Sequence, residues 1–358
     1  MTKTNLSQTT PRSLGYFMPA EWQPHRATWL SWPYNRETWP TQLESVREVW
    51  IRMIQALALN EKVFLLVNDE QTRQDVAWRL TNRGVLMENI SILKIPTMDV
   101  WIRDYGPTFL LRKKKEDPLA LNDWVFNGWG GKYRSYEDDD RVAADISALL
   151  EVPVFKHSVV LEGGSIEVNG AGTCLTTEQC LMNRNRNPNM NRAEIEQFLK
   201  NTLGVSHILW LGEGIIGDDT DGHIDDIARF INPITVVCAL EANSKDENYA
   251  ALQENYERLQ GARDQDGKTL SVVTLPCPSP VEFAGSRLPA SYANFYIANE
   301  VVLAPVFNDP NDDKALGILQ ELFPERQVLG LPCQAVVAGL GAIHCVTQQE
   351  PSILSPGP

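Results

Sequence analysis

One recurring order of elements constrains this chain more than any single motif. Helix-like segments with amphipathic spacing fall at 43–59, 139–150, 192–203, 246–259 and 312–322. Each is followed by a short apolar run, at 63–67, 154–155, 207–211, 270–275 and 327–331. Most of these runs lead into a polar or Gly-rich stretch and then a pair of apolar runs, as in 166–168 with 173–176, 227–231 with 235–239, and 295–297 with 301–304. The unit is strand, strand, helix, strand. Its pitch of roughly 50–70 residues exceeds that of common solenoid units and suits a closed ring of units. An extra helix at 71–83 interrupts the regularity, and a plain open α/β sheet is the alternative architecture.

No Gly/Ser linker or low-complexity tract divides the 358 residues, so the expectation is one α/β domain over 1–358, with 1–13 as a flexible polar tail. No window approaches the ~18 consecutive apolar residues of a membrane helix, and the N-terminus lacks an apolar signal core. A cytosolic (cytoplasmic) location follows. Lys and Arg number 32 against 46 Asp and Glu, a net charge of −14. That balance argues against nucleic acid, which needs a basic face, and against an anionic membrane surface. It suits a small cationic ligand. The six cysteines (Cys174, Cys180, Cys238, Cys277, Cys333 and Cys345) show neither C-x-x-C nor zinc-finger spacing, and most read as small buried hydrophobes.

Four polar stretches beside strand ends could carry chemistry. Met98 to Pro107 packs Asp99, Trp101, Arg103 and Asp104 ahead of a Gly-Pro turn; a local pair of Asp104 with Arg103 is the plainest account. Leu161-Glu162-Gly163-Gly164-Ser165 sets a carboxylate before two glycines, which permit positive φ and close backbone approach, although a hairpin turn explains it equally well. Gly217 to Asp226 is the most heavily charged: six acids and no Lys or Arg lie between Gly212 and Asp226. Adjacent like charges are costly unless a cation sits among them. His223 and Asp225, two apart, would share one face of an extended strand. The cation could be a metal, but Ile224 stands where an EF-hand loop needs its glycine. Gly339 to Gln349 places Cys345 after a Gly-rich turn, on an expected short strand where a nucleophile would be exposed. Such a cysteine needs neighbouring charges to reach the thiolate. By contrast Asp138-Asp139-Asp140 reads as ordinary surface charge.

Together these stretches resemble the agmatine deiminases, of the guanidino-group-modifying superfamily that includes the arginine and peptidyl-arginine deiminases. The resemblance runs through Met18-Pro19-Ala20-Glu21-Trp22, Trp29, Trp32-Pro33, Trp101 to Pro107, Glu162 to Ser165, Asn185-Arg186-Asn187-Pro188, Gly217 to Asp225, and Ile343 to Gln349. Three positions depart from the family pattern: Leu340 for a glycine, Ala342 for an asparagine and Arg184 for a proline. The resemblance implies a five-bladed α/β propeller of pseudo-symmetric strand-strand-helix-strand units, with the four stretches around one central cleft. It also implies a homodimer.

A guanidinium is planar and almost always protonated, so an enzyme must clamp it and attack a poor electrophile. By resemblance, Asp104 and Asp225 are the clamp, Glu162 supports that end with His223, Cys345 attacks, and His223 serves as acid and then base. The implied substrate is agmatine and the products N-carbamoylputrescine and ammonia, with no metal or organic cofactor. Asp219 is assigned to the distal ammonium, which also disfavours an α-carboxylate. Gly164 joins the substrate set, and Trp101, with Trp32 as a second candidate, would wall the aliphatic chain. Deimination of free or peptidyl arginine is the alternative activity. A polyamine-binding propeller without catalysis and a metal hydrolase are the rivals from other classes. Nine of the ten tryptophans precede position 130, and core packing accounts for most of them.

Overall fold

A computed structural model describes residues 9–114 and 116–353. Most of the tail expected at 1–13 lies outside them. Arg12–Leu14 form a 3-10 turn, and Arg12 Nη1 donates to the Val205 carbonyl at 3.1 Å.

Five small sheets repeat one order: an antiparallel pair, a helix, and a third strand parallel to the second. The second unit runs Thr108–Leu111, Leu119–Val125, helix Val142–Leu150 and Val154–Val160. The third runs Glu167–Val168, Thr173–Thr177, helix Arg192–Leu203 and His207–Leu211. The fourth runs Ala228–Asn232, Thr235–Leu240, helix Tyr249–Gln260 and Ser271–Pro276. The fifth runs Tyr296–Ile297, Val301–Val306, helix Asp312–Leu322 and Gln327–Pro332. The first unit is built from both ends of the chain. Gln348–Pro351 pairs antiparallel with His25–Ser31, and helix Leu43–Leu57 leads to the parallel strand Lys62–Val67. The extra helix, Glu70–Asn82, adds a fourth strand, Ile90–Lys94.

Local chemistry explains these elements. The middle strands of the fourth and fifth units are flanked on both edges and largely buried, so they read as unbroken apolar runs, such as Val236 to Ala239. Helix Arg192–Leu203 opens on a capping box between Asn191 and Glu194. Helix Tyr249–Gln260 starts three residues later than its pattern suggests. Asp246 instead accepts the Asn248 N–H at 2.8 Å and pairs with Arg287 at 2.9 Å.

The early tryptophans fasten the first unit to the end of the chain. Trp29 Nε1 donates to Glu350 at 2.9 Å and Trp39 Nε1 to the Val336 carbonyl at 3.2 Å. Trp32 is also buried in this core and lines no part of the cavity described below. Among the described residues, no helix is long and apolar enough to cross a membrane.

Candidate active site

Four loops at strand ends meet around one cavity of about 650 Å³. Asp104, Cys345, Trp101 and Asp219 line it, with Trp129 and Tyr133. Glu162, His223 and Asp225 lie beneath this lining and are fully or almost fully buried. The sequence-predicted set thus converges, but several local expectations change.

Asp104 sits on a short helix, Ile102–Tyr105, and does not pair with Arg103. Its Oδ2 accepts from Trp129 Nε1 at 2.8 Å and its Oδ1 from the Gly164 N–H at 3.0 Å, with His223 Nδ1 3.5 Å away. Arg103 turns to the opposite side and meets Glu21 at 3.3 Å and Gln349 at 2.7 Å. Glu162 and the two glycines form a 3-10 turn, not a hairpin, and neither glycine adopts positive φ. Close approach is what Gly164 supplies. A Cβ there would meet His223 Nδ1 at 2.6 Å, Asp104 Oδ1 at 2.7 Å and Asp225 Oδ2 at 3.0 Å. Gly164 therefore touches the clamp carboxylates from behind and does not line the cavity.

His223 and Asp225 are not on a strand. His223 precedes the 3-10 turn Ile224–Asp226, and that turn, not strand alternation, brings both side chains inward. Cys345 likewise occupies a turn, three residues before the strand Gln348–Pro351. Its carbonyl accepts the Arg103 N–H at 3.2 Å, which ties the nucleophile candidate to the Asp104 helix. Asn294 Nδ2 donates to Cys345 Sγ at 3.1 Å, and Asn294 Oδ1 accepts the His344 N–H at 2.9 Å. Asp225 Oδ2 lies 3.7 Å from Sγ.

The acidic loop is largely matched by the protein itself. Asp218 accepts N–H groups from Thr220, Gly222 and His223. Asp221 meets Lys132 at 2.8 Å, Asn185 at 2.9 Å and the buried Arg186, whose Nε also pairs with Glu162 at 2.8 Å. Asp226 accepts from Asn294 at 3.0 Å. Asp219 alone of this loop's acids faces the cavity, where Tyr133 donates to it. The triad read as surface charge also needs correcting: Asp139 is 2% exposed, lines the cavity and accepts the Met98 N–H.

Electrostatics separate the roles these groups can take. Burial pushes Asp104 up to about 6, against the pull of His223 and with Asp225 adding repulsion. Burial also pushes on Asp225, but the hydrogen bond and charge of His344, then His223 and Arg229, hold it below the usual carboxylate range. Burial works against charge on His223, yet Asp104 and Cys180 raise it well above an ordinary imidazole. It is a ready proton donor. Burial, then Asp225, Asp226 and Asp104, keep the Cys345 thiol well above its ordinary range while no cation is bound. A cation placed among these carboxylates reverses that bias.

Two sets of groups bring possible metal-ligating atoms within 4.8 Å of one another: Glu162, Cys180 and His223, and Asp225, Asp226 and Cys345. In the first, Arg186 already pairs with Glu162, and in the second a ring nitrogen of His344 already faces Asp225. Three atoms around the clamp, Asp225 Oδ1, Glu162 Oε2 and His223 Nε2, are buried without a hydrogen-bond partner. Asp225 Oδ1 offers an acceptor for an N–H, and the His223 nitrogen that faces the clamp is Nδ1.

Sequence reasoning missed Asn294, and it assigned no role to Arg186, Trp129 or His344. Arg186 and His344 stand inside motifs already singled out, and a charged residue buried in an otherwise polar loop is the signal they carried. Asn294 gives none, being a neutral residue in a short turn.

Of the three departures, Leu340 has a conformational consequence. It adopts φ +73°, the left-handed region that glycine enters without penalty, at a cost of about 1–2 kcal/mol for a residue with a side chain. Ala342 is buried and Arg184 is on the surface.

Residues 17–351 match the family described as Porphyromonas-type peptidyl-arginine deiminase. The agmatine deiminase of Medicago truncatula is 36% identical over 377 residues, spanning 97% of this chain and 99% of that protein. The structure of an Enterococcus faecalis agmatine deiminase, described as catalysing its reaction, superposes with a TM-score of 0.90 at 34% identity, covering 98% of this chain and 99% of that one. A substrate-bound cysteine-to-serine variant of the C. jejuni agmatine deiminase gives 0.85 at 30% identity, covering 95% of this chain and 97% of that one.

Proposed function

The chain belongs to the Porphyromonas-type peptidyl-arginine deiminase family, and on that premise we propose that it hydrolyses agmatine to N-carbamoylputrescine and ammonia. The observation that carries this reading is one cavity in which a cysteine stands among unmatched carboxylates. Five acids line it (Glu37, Asp99, Asp104, Asp139 and Asp219) against one cation, Arg134. Agmatine is positive at both ends and fits that excess. The α-carboxylate of arginine would meet it with the wrong sign.

In this reading Asp104 and Asp225 clamp the guanidinium, each through a carboxylate oxygen. Its charge favours loss of the Cys345 proton to solvent, and Asn294 supports the resulting thiolate. Sγ adds to the guanidinium carbon. The C–N bond breaks as protonated His223 gives its proton to departing ammonia, leaving an amidino-cysteine (thiouronium). Neutral His223, held by Asp104 and Glu162, then takes a proton from water. The water oxygen adds to the same carbon, the C–S bond breaks as the adduct's hydroxyl proton passes to the departing sulfur, and the ureido product leaves with the Cys345 thiol restored. Every atom of this cycle comes from agmatine, water and the chain. Asp219 receives the distal ammonium, Trp101 walls the methylene chain, and Gly164 lets the clamp close.

The same proposal reads the five sheets as blades of a five-bladed α/β propeller within one domain, because each has the same strand order and the first joins the two ends. It includes a cytoplasmic location and a homodimer, which fractionation and sedimentation velocity would check.

The test compares kcat/KM for agmatine, arginine and an arginine peptide, following ammonia and ureido product. Agmatine should lead by at least about 100-fold, the discrimination expected when a buried charge is mismatched. Arginine equal to agmatine overturns the substrate assignment. Retained turnover in Cys345→Ser overturns the mechanism.

A further inference from the structure

The residue immediately before the cysteine occupies an unusual position. His344 is 1% exposed, and both its ring nitrogens face carboxylates. Nδ1 lies 2.7 Å from Asp225 Oδ2 and Nε2 lies 2.8 Å from Glu21 Oε2. A neutral imidazole carries a single N–H and can satisfy only one of two such acceptors. Behind Glu21 stand two arginines. Arg103 meets its Oε2 at 3.3 Å and Arg229 its Oε1 at 2.8 Å, and the Ile297 N–H donates to the same Oε1. Arg229 continues to Glu167 at 2.9 Å. The backbone of His344 is fixed separately, through its N–H to Asn294.

We propose that His344 is a positioning residue for the guanidinium clamp, donating from both ring nitrogens so that it fixes Asp225 in one rotamer against Glu21. The consequence is geometric. His344 holds Oδ2 at 3.7 Å from Cys345 Sγ, and Oδ1 of the same carboxylate is left buried and unpartnered, an open acceptor for substrate N–H groups. Glu21 is the anchor: four groups converge on it, from the Asp104 helix, the fourth unit, the fifth unit and the cysteine turn. The chain Arg229–Glu21–His344–Asp225 alternates in sign, so removing one member leaves buried charge unmatched on either side.

The charged groups facing Asp225 are His344, His223, Arg229, Asp226 and Asp104, with the Cys345 thiol. Those facing His344 are Glu21, Asp225 and Glu167. Without His344, Asp225 keeps the burial and the neighbouring acids that push it up and loses the largest influence holding it down. Protonation then reaches it at higher pH.

This inference rests on the proposed deiminase reading for its kinetic arm only. In His344→Ala, kcat/KM for agmatine should fall about 10–100-fold, the usual cost of losing an outer orienting partner. The loss should appear mainly in KM, and the acid limb of the pH profile should move to higher pH. His344→Asn, whose Nδ2 can replace the Nδ1 donor, should recover most of the loss, whereas His344→Leu should not. A uniform fall with an unmoved acid limb, or equal losses in the Asn and Leu variants, overturns the proposal. A second arm needs no turnover. In protein carrying ¹⁵N-labelled histidine, five residues contribute, and the pair of signals lost in His344→Asn should show hydrogen on both ring nitrogens at pH 7. A single protonated nitrogen there overturns the proposal, whatever the substrate proves to be.

Discussion

Asp104 and Asp225 flank the same glycine and are candidates for the same task, yet their surroundings differ in kind. The Asp104 side is held by two neutral donors, the Trp129 indole and the Gly164 amide, with the His223 ring 3.5 Å away, and burial lifts it to about 6. The Asp225 side rests on an ionic chain through His344 to Glu21 and is held low. Two carboxylates of equal strength so close together would repel and share a proton. A direct hydrogen bond to the His344 ring on one side, against indole and amide donors and a more distant His223 ring on the other, lets the first stay charged at rest. The second becomes fully charged when the substrate supplies the missing positive group.

The largest effect that could break this comparison is loss of charge on either side. Asp225→Asn should cost on the order of 1000-fold in kcat/KM for agmatine, because it removes a clamp charge and also strands His344. Asp104→Asn should cost about 100-fold: it removes a clamp charge and the carboxylate facing His223, but the amide oxygen can still accept one of the two N–H donors and the chain through His344 stays intact. Equal losses would mean that the two sides are equivalent.

A moderate effect sharpens the contrast through pH. The profile of kcat/KM, which reports the free enzyme, should fall as pH drops through about 6, because Asp104 gains a proton there and can no longer pair with a guanidinium. Asp225, held low, stays ionised through that range. Trp129→Phe removes a donor that favours charged Asp104, so the same limb should move upward. An unmoved limb would assign it to another group.

The smallest effect separates both sides from the loop ahead of the cysteine. Leu340→Gly releases the left-handed strain but loosens the unfolded chain, two terms of about 1 kcal/mol each and opposite sign. Stability in urea should therefore change by less than about 1 kcal/mol. kcat/KM should hold within about threefold, because Asn294 and Arg103 anchor Cys345 independently of that loop. A tenfold loss would make loop shape part of the site.

Much of this was legible in the sequence because burial leaves a periodic mark. Helices 192–203 and 312–322 fall where amphipathic spacing puts them, and the middle strands of the fourth and fifth units read as apolar runs. The candidate site was legible as residue types but not as geometry. His223 and Asp225 share an inward direction through a 3-10 turn, which leaves no period-two signature. The triad at Asp138 looked solvated because adjacent acids usually are. Asp139 is buried because a backbone N–H, a partner with no sequence signature, receives it. Asn294 was missed for the same reason: its importance lies in which backbone and thiol it meets. The excess negative charge was informative only after the carboxylates with partners were separated from those without.

The pairing of Gln348–Pro351 with His25–Ser31 has a consequence for synthesis. The cysteine is delivered to its cavity by a strand that must find its neighbour across nearly the whole described chain. While the ribosome is still making the fifth unit, the carboxylates and His223 have already emerged but the nucleophile has not. His344, which fixes Asp225, and the reactive thiol therefore arrive together, and the site is complete only when the first sheet receives its outermost strand. Such long-range closure is slow relative to helix and hairpin formation.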